Sequence, residues 1–136
     1  MCRPPDFSLE TPLGARIGLE SYRGRPVLLV FWTTSCGICQ HELPLLNQMA
    51  PEFRNKGISI VAIHLGGAEE ASGYMQPKGI DLAMLADPQG VAARAYHVSG
   101  VPKLVLIGSD GKIKKAASGW TDQRVLGNWI DSVSGS

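Results

Sequence analysis

The chain has 136 residues, of which 44% are apolar and 18% are charged, and its formal net charge is +1 at pH 7. This length and composition are typical of one soluble globular domain over residues 1–136, with a core large enough to need no disulfide or metal staple. The near-neutral charge gives no reason to expect a nucleic acid or an anionic membrane as partner.

The N-terminal residues contain no apolar segment of the kind that a signal peptide requires. We therefore expect either a cytoplasmic protein or one whose signal or anchor is not part of this sequence. The longest apolar run, Val27–Trp32, is too short to cross a bilayer. Three cysteines are too few for a disulfide framework; they form one close pair and leave Cys2 over.

The first half of the chain predicts a hairpin, a buried strand and a helix. Weak alternation and turn residues indicate a β-hairpin over Phe7–Leu19. The consecutive apolar residues Val27–Trp32 predict a strand buried on both faces. Apolar residues at spacings of three and four predict a helix over Cys36–Lys56, kinked at Pro44 and interrupted again at Pro51.

The second half alternates strands and short helices before a final hairpin and helix. The patterns predict a strand over Ile58–Ile63, a helix over Glu69–Lys78, a strand over Leu82–Ala86, a helix over Val91–Tyr96, and a hairpin that joins Lys103–Ile107 to Lys112–Ala117. This order predicts an α/β fold with a mixed central sheet.

The last helix is expected to begin after Thr121, whose side chain can cap it. Its apolar positions form one stripe: Val125, Leu126, Trp129, Ile130 and Val133. Trp120 and Trp129 are expected to pack in the corner between the last strand and this helix.

The residues Cys36-Gly37-Ile38-Cys39 carry the strongest functional signal. Two thiols three positions apart can close a small disulfide ring, and the free N–H groups and dipole of a helix N-terminus stabilise a thiolate. Cys36 then acts as the nucleophile, and Cys39 can resolve the mixed disulfide that results. Dithiol–disulfide exchange is therefore the leading prediction for the whole protein.

Several segments, in the expected order, make the chain resemble the thioredoxin superfamily, and more closely its TlpA/ResA-like branch of extracytoplasmic thiol–disulfide oxidoreductases. The matching residues are Pro5–Leu9, Gly24–Trp32, Cys36–Cys39 with Glu42 and Pro44, Val98–Pro102 and Asp110–Ile113. The resemblance covers essentially the whole chain. It implies a thioredoxin fold: a central mixed sheet flanked by helices, with an N-terminal β-hairpin and a central βα insert, roughly Gly66 to Asp87, that shapes the choice of partner.

The resemblance also implies catalytic roles. Cys36 is expected to attack, Cys39 to resolve, and Glu42 to exchange the proton of Cys39 as a partly desolvated carboxylate. Ser35 stands where the family usually has tryptophan, and Ile38 where many relatives have proline. Because these positions help set thiolate stability, the direction of the reaction is not inherited from the resemblance.

The resemblance further implies a substrate-binding surface. Pro102 matches the cis-proline that faces the disulfide and leaves the backbone of Val101 free to pair with a substrate strand. Gly37 and Ile38 are expected to contribute to the same surface. Trp32 is assigned to it as well, and is expected to pack under the active-site loop.

The resemblance implies that the partners are protein disulfide or dithiol substrates and an electron-donor thiol protein. The oxidoreductase itself is expected to be a monomer. No metal or organic cofactor is implied beyond the Cys36–Cys39 disulfide itself. The branch is mostly periplasmic or membrane-tethered, which predicts an extracytoplasmic location, although the sequence leaves the cytoplasm open. Apocytochromes of cytochrome c maturation, copper-site proteins and general protein disulfides all remain candidate substrates.

Two alternative functions use the same cysteines. A copper-handling protein would bind Cu(I) through Cys36 and Cys39, with His41 or His97 as a third ligand. The second alternative is a peroxiredoxin-type peroxidase. Residues 33–36 have the T-x-x-C pattern of that class, but Leu29 replaces the proline expected before it. A structural zinc site would need two more ligands at a clean spacing, which the remaining Cys2 and histidines do not offer.

Overall fold

The computed structural model describes residues 4–133. Within that range the strands are β1 Ser8–Glu10, β2 Arg16–Gly18, β3 Val27–Trp32, β4 Ser59–His64, β5 Ala83–Ala86, β6 Lys103–Ile107 and β7 Ile113–Ser118. The helices are α1 Cys39–Asn55, α2 Ala68–Met75, α3 Val91–Ala95 and α4 Gln123–Val133, with 3-10 turns at Leu19–Tyr22 and Gln76–Lys78.

The strands form one seven-stranded mixed sheet in the order β2-β1-β5-β4-β3-β6-β7. Strands β3, β4 and β5 are parallel neighbours, while β6 pairs antiparallel with β3, and β7 with β6. The hairpin of β1 and β2 joins β5 antiparallel at the other edge. The predicted mixed α/β fold with its N-terminal hairpin and central insert is confirmed, as are the predicted bounds of β3 to β7 to within one residue.

The central strand β3 separates two apolar layers. Leu28, Val30 and Trp32 face the layer that contains α1, α2 and α4, whereas Val27, Leu29 and Phe31 face the layer with α3. Every residue of β3 is buried. Because side chains alternate between faces, an uninterrupted apolar run is what a strand covered on both sides needs.

Helix α1 begins at Cys39, three residues later than the sequence pattern predicts. Its first intrahelical bonds run from the N–H groups of His41 and Glu42 to the carbonyl of Ile38. Cys36 therefore lies in the turn before the helix, where its own N–H donates to the carbonyl of Thr33 at 3.4 Å.

The prediction that Pro51 splits off the last turn of α1 is wrong. The helix is continuous from Cys39 to Asn55 with Pro44 and Pro51 inside it. Each proline removes one backbone donor and leaves one carbonyl without its helical partner. Both prolines lie on the exposed face of α1, where water can hydrogen-bond to the freed carbonyls.

The prediction that Thr121 caps α4 is also wrong by one residue. Asp122 caps the helix: its Oδ1 accepts the N–H of Val125 at 2.9 Å, and its carbonyl accepts the N–H of Leu126 at 3.0 Å. Asp and Thr are both favoured N-cap residues, so the pattern alone did not separate them. Thr121 is instead buried, with 4% of its surface exposed.

The two tryptophans near this helix differ in their environments. Trp129 packs in the core as predicted, with 7% exposure. Trp120 is 52% exposed, so the prediction that it packs in the corner is wrong. None of the helices within residues 4–133 has the length and apolar character that a bilayer crossing requires.

Candidate active site

The two cysteines lie just beyond the carboxyl end of the central strand. Strand β3 ends at Trp32, and a turn over residues 33–38 leads into α1. The carbonyl of Cys36 accepts the N–H of Gln40 at 3.2 Å, which ties this turn to the first turn of the helix. The sheet and the helix together fix the positions of both thiols.

The thiols differ in exposure and in their hydrogen bonds. Cys36 is half-buried, whereas only 1% of Cys39 is exposed, and both are free. The backbone N–H of Cys39 donates to Cys36 Sγ at 3.0 Å. The Cys36 thiol in turn donates to the carbonyl of Val101 at 3.5 Å. Cys36 is thus the thiol that a partner can reach, and a donor already points at its sulfur.

Burial keeps Cys39 protonated. Desolvation, followed by the hydrogen bond with Cys36, raises the pKa of the Cys39 thiol to about 12, against a smaller lowering by the backbone at Thr33. The negative charges of Cys36 and Glu42 act in the same direction as burial. Cys39 therefore needs a proton acceptor before its sulfur can attack a disulfide.

Glu42 is a fully buried carboxyl group one turn along the same helix face. Its Oε1 accepts the backbone N–H of Thr121 at 2.7 Å. Burial raises the pKa of Glu42 to about 7; the Thr121 N–H lowers it and the nearby Asp122 raises it. A carboxyl group that ionises near neutral pH is suited to general acid–base catalysis.

The peptide bond between Val101 and Pro102 is cis, as the resemblance implies. Pro102 is buried and its carbonyl accepts the N–H of Gly119 at 2.9 Å. Within residues 4–133 the N–H of Val101 makes no hydrogen bond, while its carbonyl faces Cys36. The residue whose carbonyl contacts Cys36 Sγ therefore also carries a backbone donor without a partner.

Trp32 lies beneath the site and not on its surface. None of its surface is exposed, and its ring packs against His64 at 4.7 Å and Tyr74 at 5.5 Å between ring centroids. The prediction that Trp32 contacts the substrate is therefore wrong, because a fully buried ring offers a partner no surface. By contrast, Gly37 is exposed and Ile38 is 44% exposed beside Cys36.

The insert contacts the active-site turn through residues that the sequence did not single out. Thr34 Oγ1 donates to Glu70 Oε2 at 2.9 Å, and Glu70 Oε1 lies 3.7 Å from His64 Nε2. His64, at the end of β4, has its Nδ1 3.0 Å from the carbonyl of Gly67 at the start of the insert. Thr34 and Glu70 are 36 positions apart, so no local pattern reveals their contact.

Trp120 lies beside backbone groups of the site, and not in the core corner predicted for it. It stands between Gly119, whose N–H donates to Pro102, and Thr121, whose N–H donates to Glu42. Both neighbours are bonded to site residues, so the backbone of Trp120 is held next to the site, and its indole is 52% exposed. An exposed aromatic ring is a common contact residue at protein interfaces.

Residues 4–133 contain no group of three or more His, Cys, Asp or Glu side chains arranged to hold a metal ion. His41 and His97, the third ligands considered for copper, are both exposed. Cys2 lies outside the described residues.

The sheet order, the cis-proline and the C-x-x-C turn at the end of β3 together define a thioredoxin-fold protein with a dithiol site. The profile of the AhpC/TSA family matches residues 2–116. The chain belongs to this family of thioredoxin-like proteins.

Among curated relatives, the chain is 30% identical over 130 residues to the thiol-disulfide oxidoreductase ResA of Geobacillus thermodenitrificans, covering 95% of this chain and 75% of the relative. It is equally similar to ResA of Bacillus subtilis, of which it covers 73%. The similarity to these relatives identifies the chain as a thiol–disulfide oxidoreductase. It favours neither the copper-handling nor the peroxidase alternative.

Solved structures give the same assignment. A secreted Mycobacterium tuberculosis disulfide oxidoreductase, homologous to E. coli DsbE, superposes with a TM-score of 0.82 at 25% identity, over 93% of this chain and 95% of that one. The exposed lipoprotein thioredoxin Etrx1 of Streptococcus pneumoniae superposes with a TM-score of 0.77 at 27% identity, over 94% of this chain and 99% of that one.

Proposed function

We propose that this oxidoreductase works as a disulfide reductase on protein substrates, with Cys36 as the attacking thiol and Cys39 as the resolving thiol. The observation that carries this assignment is the asymmetry of the pair: Cys36 is half-exposed and accepts an N–H bond, whereas Cys39 is buried and protonated. The redox group is the dithiol itself, with no further cofactor.

In the first step, the Cys36 thiolate attacks one sulfur of a substrate disulfide. A bond forms between Cys36 Sγ and that sulfur, the substrate S–S bond breaks, and the second substrate sulfur leaves as a thiolate that takes a proton from water. The N–H of Cys39, 3.0 Å from Cys36 Sγ, stabilises the attacking charge because hydrogen bonds to charged acceptors are the stronger ones.

In the second step, Cys39 transfers its proton to Glu42 and attacks Cys36 Sγ. The Cys36–Cys39 bond forms, the bond between Cys36 Sγ and the substrate sulfur breaks, and that sulfur leaves as a thiolate that takes a proton from water, so both substrate sulfurs are now reduced. The two electrons given to the substrate come from the dithiol, so a thiol protein of lower potential must reduce Cys36–Cys39 before the next cycle.

The reducing direction is supported by what surrounds the sulfurs. Strong oxidants of this kind stabilise their reduced form, commonly through a thiolate of low pKa beside a cation or a helix N-terminus. Here burial holds Cys39 as a thiol. Among residues 4–133, the hydrogen-bond partners of Cys36 Sγ are the backbone groups of Cys39 and Val101, and no cationic side chain is one of them.

The substrate-binding surface is proposed to combine backbone pairing with apolar contact. Val101 offers its unpaired N–H to an extended substrate strand, close to buried Pro102. Gly37 leaves room for that strand, and the exposed side chains of Ile38 and Trp120 are proposed to supply the apolar contacts.

Replacing Trp120 by alanine tests the apolar part of this surface. We expect KM for a protein disulfide to rise by about tenfold with kcat little changed, because a buried interface aromatic commonly contributes more than about 1 kcal/mol. Leu13→Ala is the matched control: Leu13 is 95% exposed in the edge hairpin, and β7, which precedes Trp120, is at the opposite edge of the sheet. Equal KM values for both variants would show that Trp120 is not part of the substrate-binding surface.

The direct test of the proposed function is a stoichiometric reaction of the reduced protein with a peptide disulfide. Each mole of Cys36–Cys39 disulfide formed, located by peptide mass mapping, must be matched by two moles of new substrate thiol. Formation of substrate thiols without this intramolecular disulfide would contradict the assignment of Cys39.

An extracytoplasmic location is part of the proposal. A solved relative is secreted and another is an exposed lipoprotein. The proposed substrates there are protein disulfides, and the electron donor is a thiol protein; the oxidoreductase itself is proposed to act as a monomer.

A further inference from the structure

Four buried side-chain polar atoms in residues 4–133 have no hydrogen-bond partner: Trp32 Nε1, Glu42 Oε2, Tyr74 Oη and Thr121 Oγ1. Two of them belong to residues that are already bonded to each other, because the N–H of Thr121 donates to Glu42 Oε1 at 2.7 Å. Glu42 has no exposed surface and Thr121 has 4%. The second oxygen of the carboxyl group and the hydroxyl group are therefore enclosed in the same small region.

The Thr121 hydroxyl has no structural task that explains its presence there. Helix α4 is capped by Asp122, not by Thr121. A buried hydroxyl without a partner costs free energy, and valine would fill the same space without that cost. A polar group kept at an unfavourable position calls for a chemical reason.

Glu42 needs a partner that accommodates both of its protonation states. The N–H of Thr121 can only donate, so it serves the carboxylate and offers nothing to the proton of the neutral acid. A hydroxyl group both donates and accepts. Thr121 Oγ1 can donate to the ionised carboxyl group and accept from the protonated one.

We propose that Thr121 is a positioning residue for proton transfer, whose hydroxyl bonds Glu42 Oε2 directly or through one water as Glu42 takes the proton of Cys39. The inference rests on the proposed role of Glu42. The titratable groups that face Glu42 within residues 4–133 are Cys39 on the same helix and Asp122 before α4.

The test is the pH profile of substrate release from a preformed mixed disulfide at Cys36, compared among wild type, Thr121→Val and Thr121→Ser. Donation to a carboxylate is stronger than acceptance from a carboxylic acid, so losing the hydroxyl raises the pKa of Glu42. We expect the midpoint of the profile to move upward by about one pH unit in Thr121→Val. Thr121→Ser, which keeps the hydroxyl, should keep the wild-type midpoint.

The pH profile separates this role from a packing role, and thermal unfolding checks that each variant is folded. A packing role predicts that Thr121→Val is at least as stable as wild type and has an unchanged pH profile, and an unchanged profile would overturn the inference. Glu42→Gln in the same assay distinguishes a failure of the Thr121 role from a failure of the Glu42 role. If Glu42→Gln removes the midpoint but Thr121→Val does not move it, only the role of Thr121 fails; if Glu42→Gln leaves the midpoint in place, the role of Glu42 fails as well.

Discussion

Replacing Cys39 by serine should convert the protein into a trap for its substrates. Cys36 keeps its exposure and its N–H donor position, so it still attacks a disulfide, but no second sulfur is present to release the product. We expect a mixed disulfide at Cys36 to accumulate to about one mole per mole of protein. Mass spectrometry without reducing agent detects it.

The reciprocal variant, Cys36→Ser, should lower exchange to the level of the reaction without protein. Cys39 remains in that variant, but it is 1% exposed and burial raises its pKa to about 12, so it supplies neither access nor thiolate at neutral pH. A mixed disulfide formed at Cys39 in Cys36→Ser, at a rate close to that of wild type, would reverse the two assignments.

Replacing Glu42 by glutamine should change both activity and stability in a pH-dependent way. Without a proton acceptor for Cys39, we expect release of the mixed disulfide to slow about a hundredfold. In wild type this step should accelerate as the pH rises through about 7, the pKa of Glu42. Stopped-flow measurement of the release step from about pH 5.5 to about pH 9, a range that brackets the pKa of Glu42, checks the prediction.

The stability effect has the opposite sign from the one expected for a salt-bridged carboxylate. Burial raises the pKa of Glu42 from an ordinary 4.5 to about 7, so between these values the folded state binds more protons than the unfolded state. The stabilisation due to the neutral acid is therefore complete below about pH 4.5 and is lost as the pH rises through about 7.

Glutamine is neutral at every pH, so Glu42→Gln should gain stability relative to wild type as the pH rises. The gain at pH 8 is on the order of 2 kcal/mol by denaturant unfolding. Glu52→Gln, which removes a carboxylate from the exposed face of the same helix, is the matched control for the loss of one charge. A Glu42→Gln variant less stable than wild type at pH 8 would contradict the assigned burial effect.

The sequence predicts most of the fold because its signals are local and strong. The apolar runs of β3 and β4 are what strands buried on both faces require. The Asp110-Gly111 turn gives the final hairpin, and Gly111 has the positive φ of 79° that such a turn requires. The cis bond before Pro102 was available only through the family resemblance.

What the sequence did not predict depends on contacts between distant segments. The late start of α1 reflects a turn closed by the backbone of Thr33 and Cys36, which no side-chain pattern reveals. The choice of Asp122 over Thr121 as cap follows from the bond between Thr121 and Glu42, 79 positions apart. Trp120 remains exposed because its neighbours, not its own hydrophobicity, fix the backbone there.

The reduction potential of the Cys36–Cys39 couple, measured by equilibration in defined thiol–disulfide buffers, decides whether the protein acts as a disulfide reductase. The burial of Cys39 and the absence of a cation hydrogen-bonded to Cys36 within residues 4–133 predict a two-electron couple near or below the potential of thioredoxin, about −270 mV. A potential near about −120 mV, as found in strong oxidants, would contradict the reducing direction. Failure of the two cysteines to form a disulfide at any potential would contradict the dithiol mechanism itself.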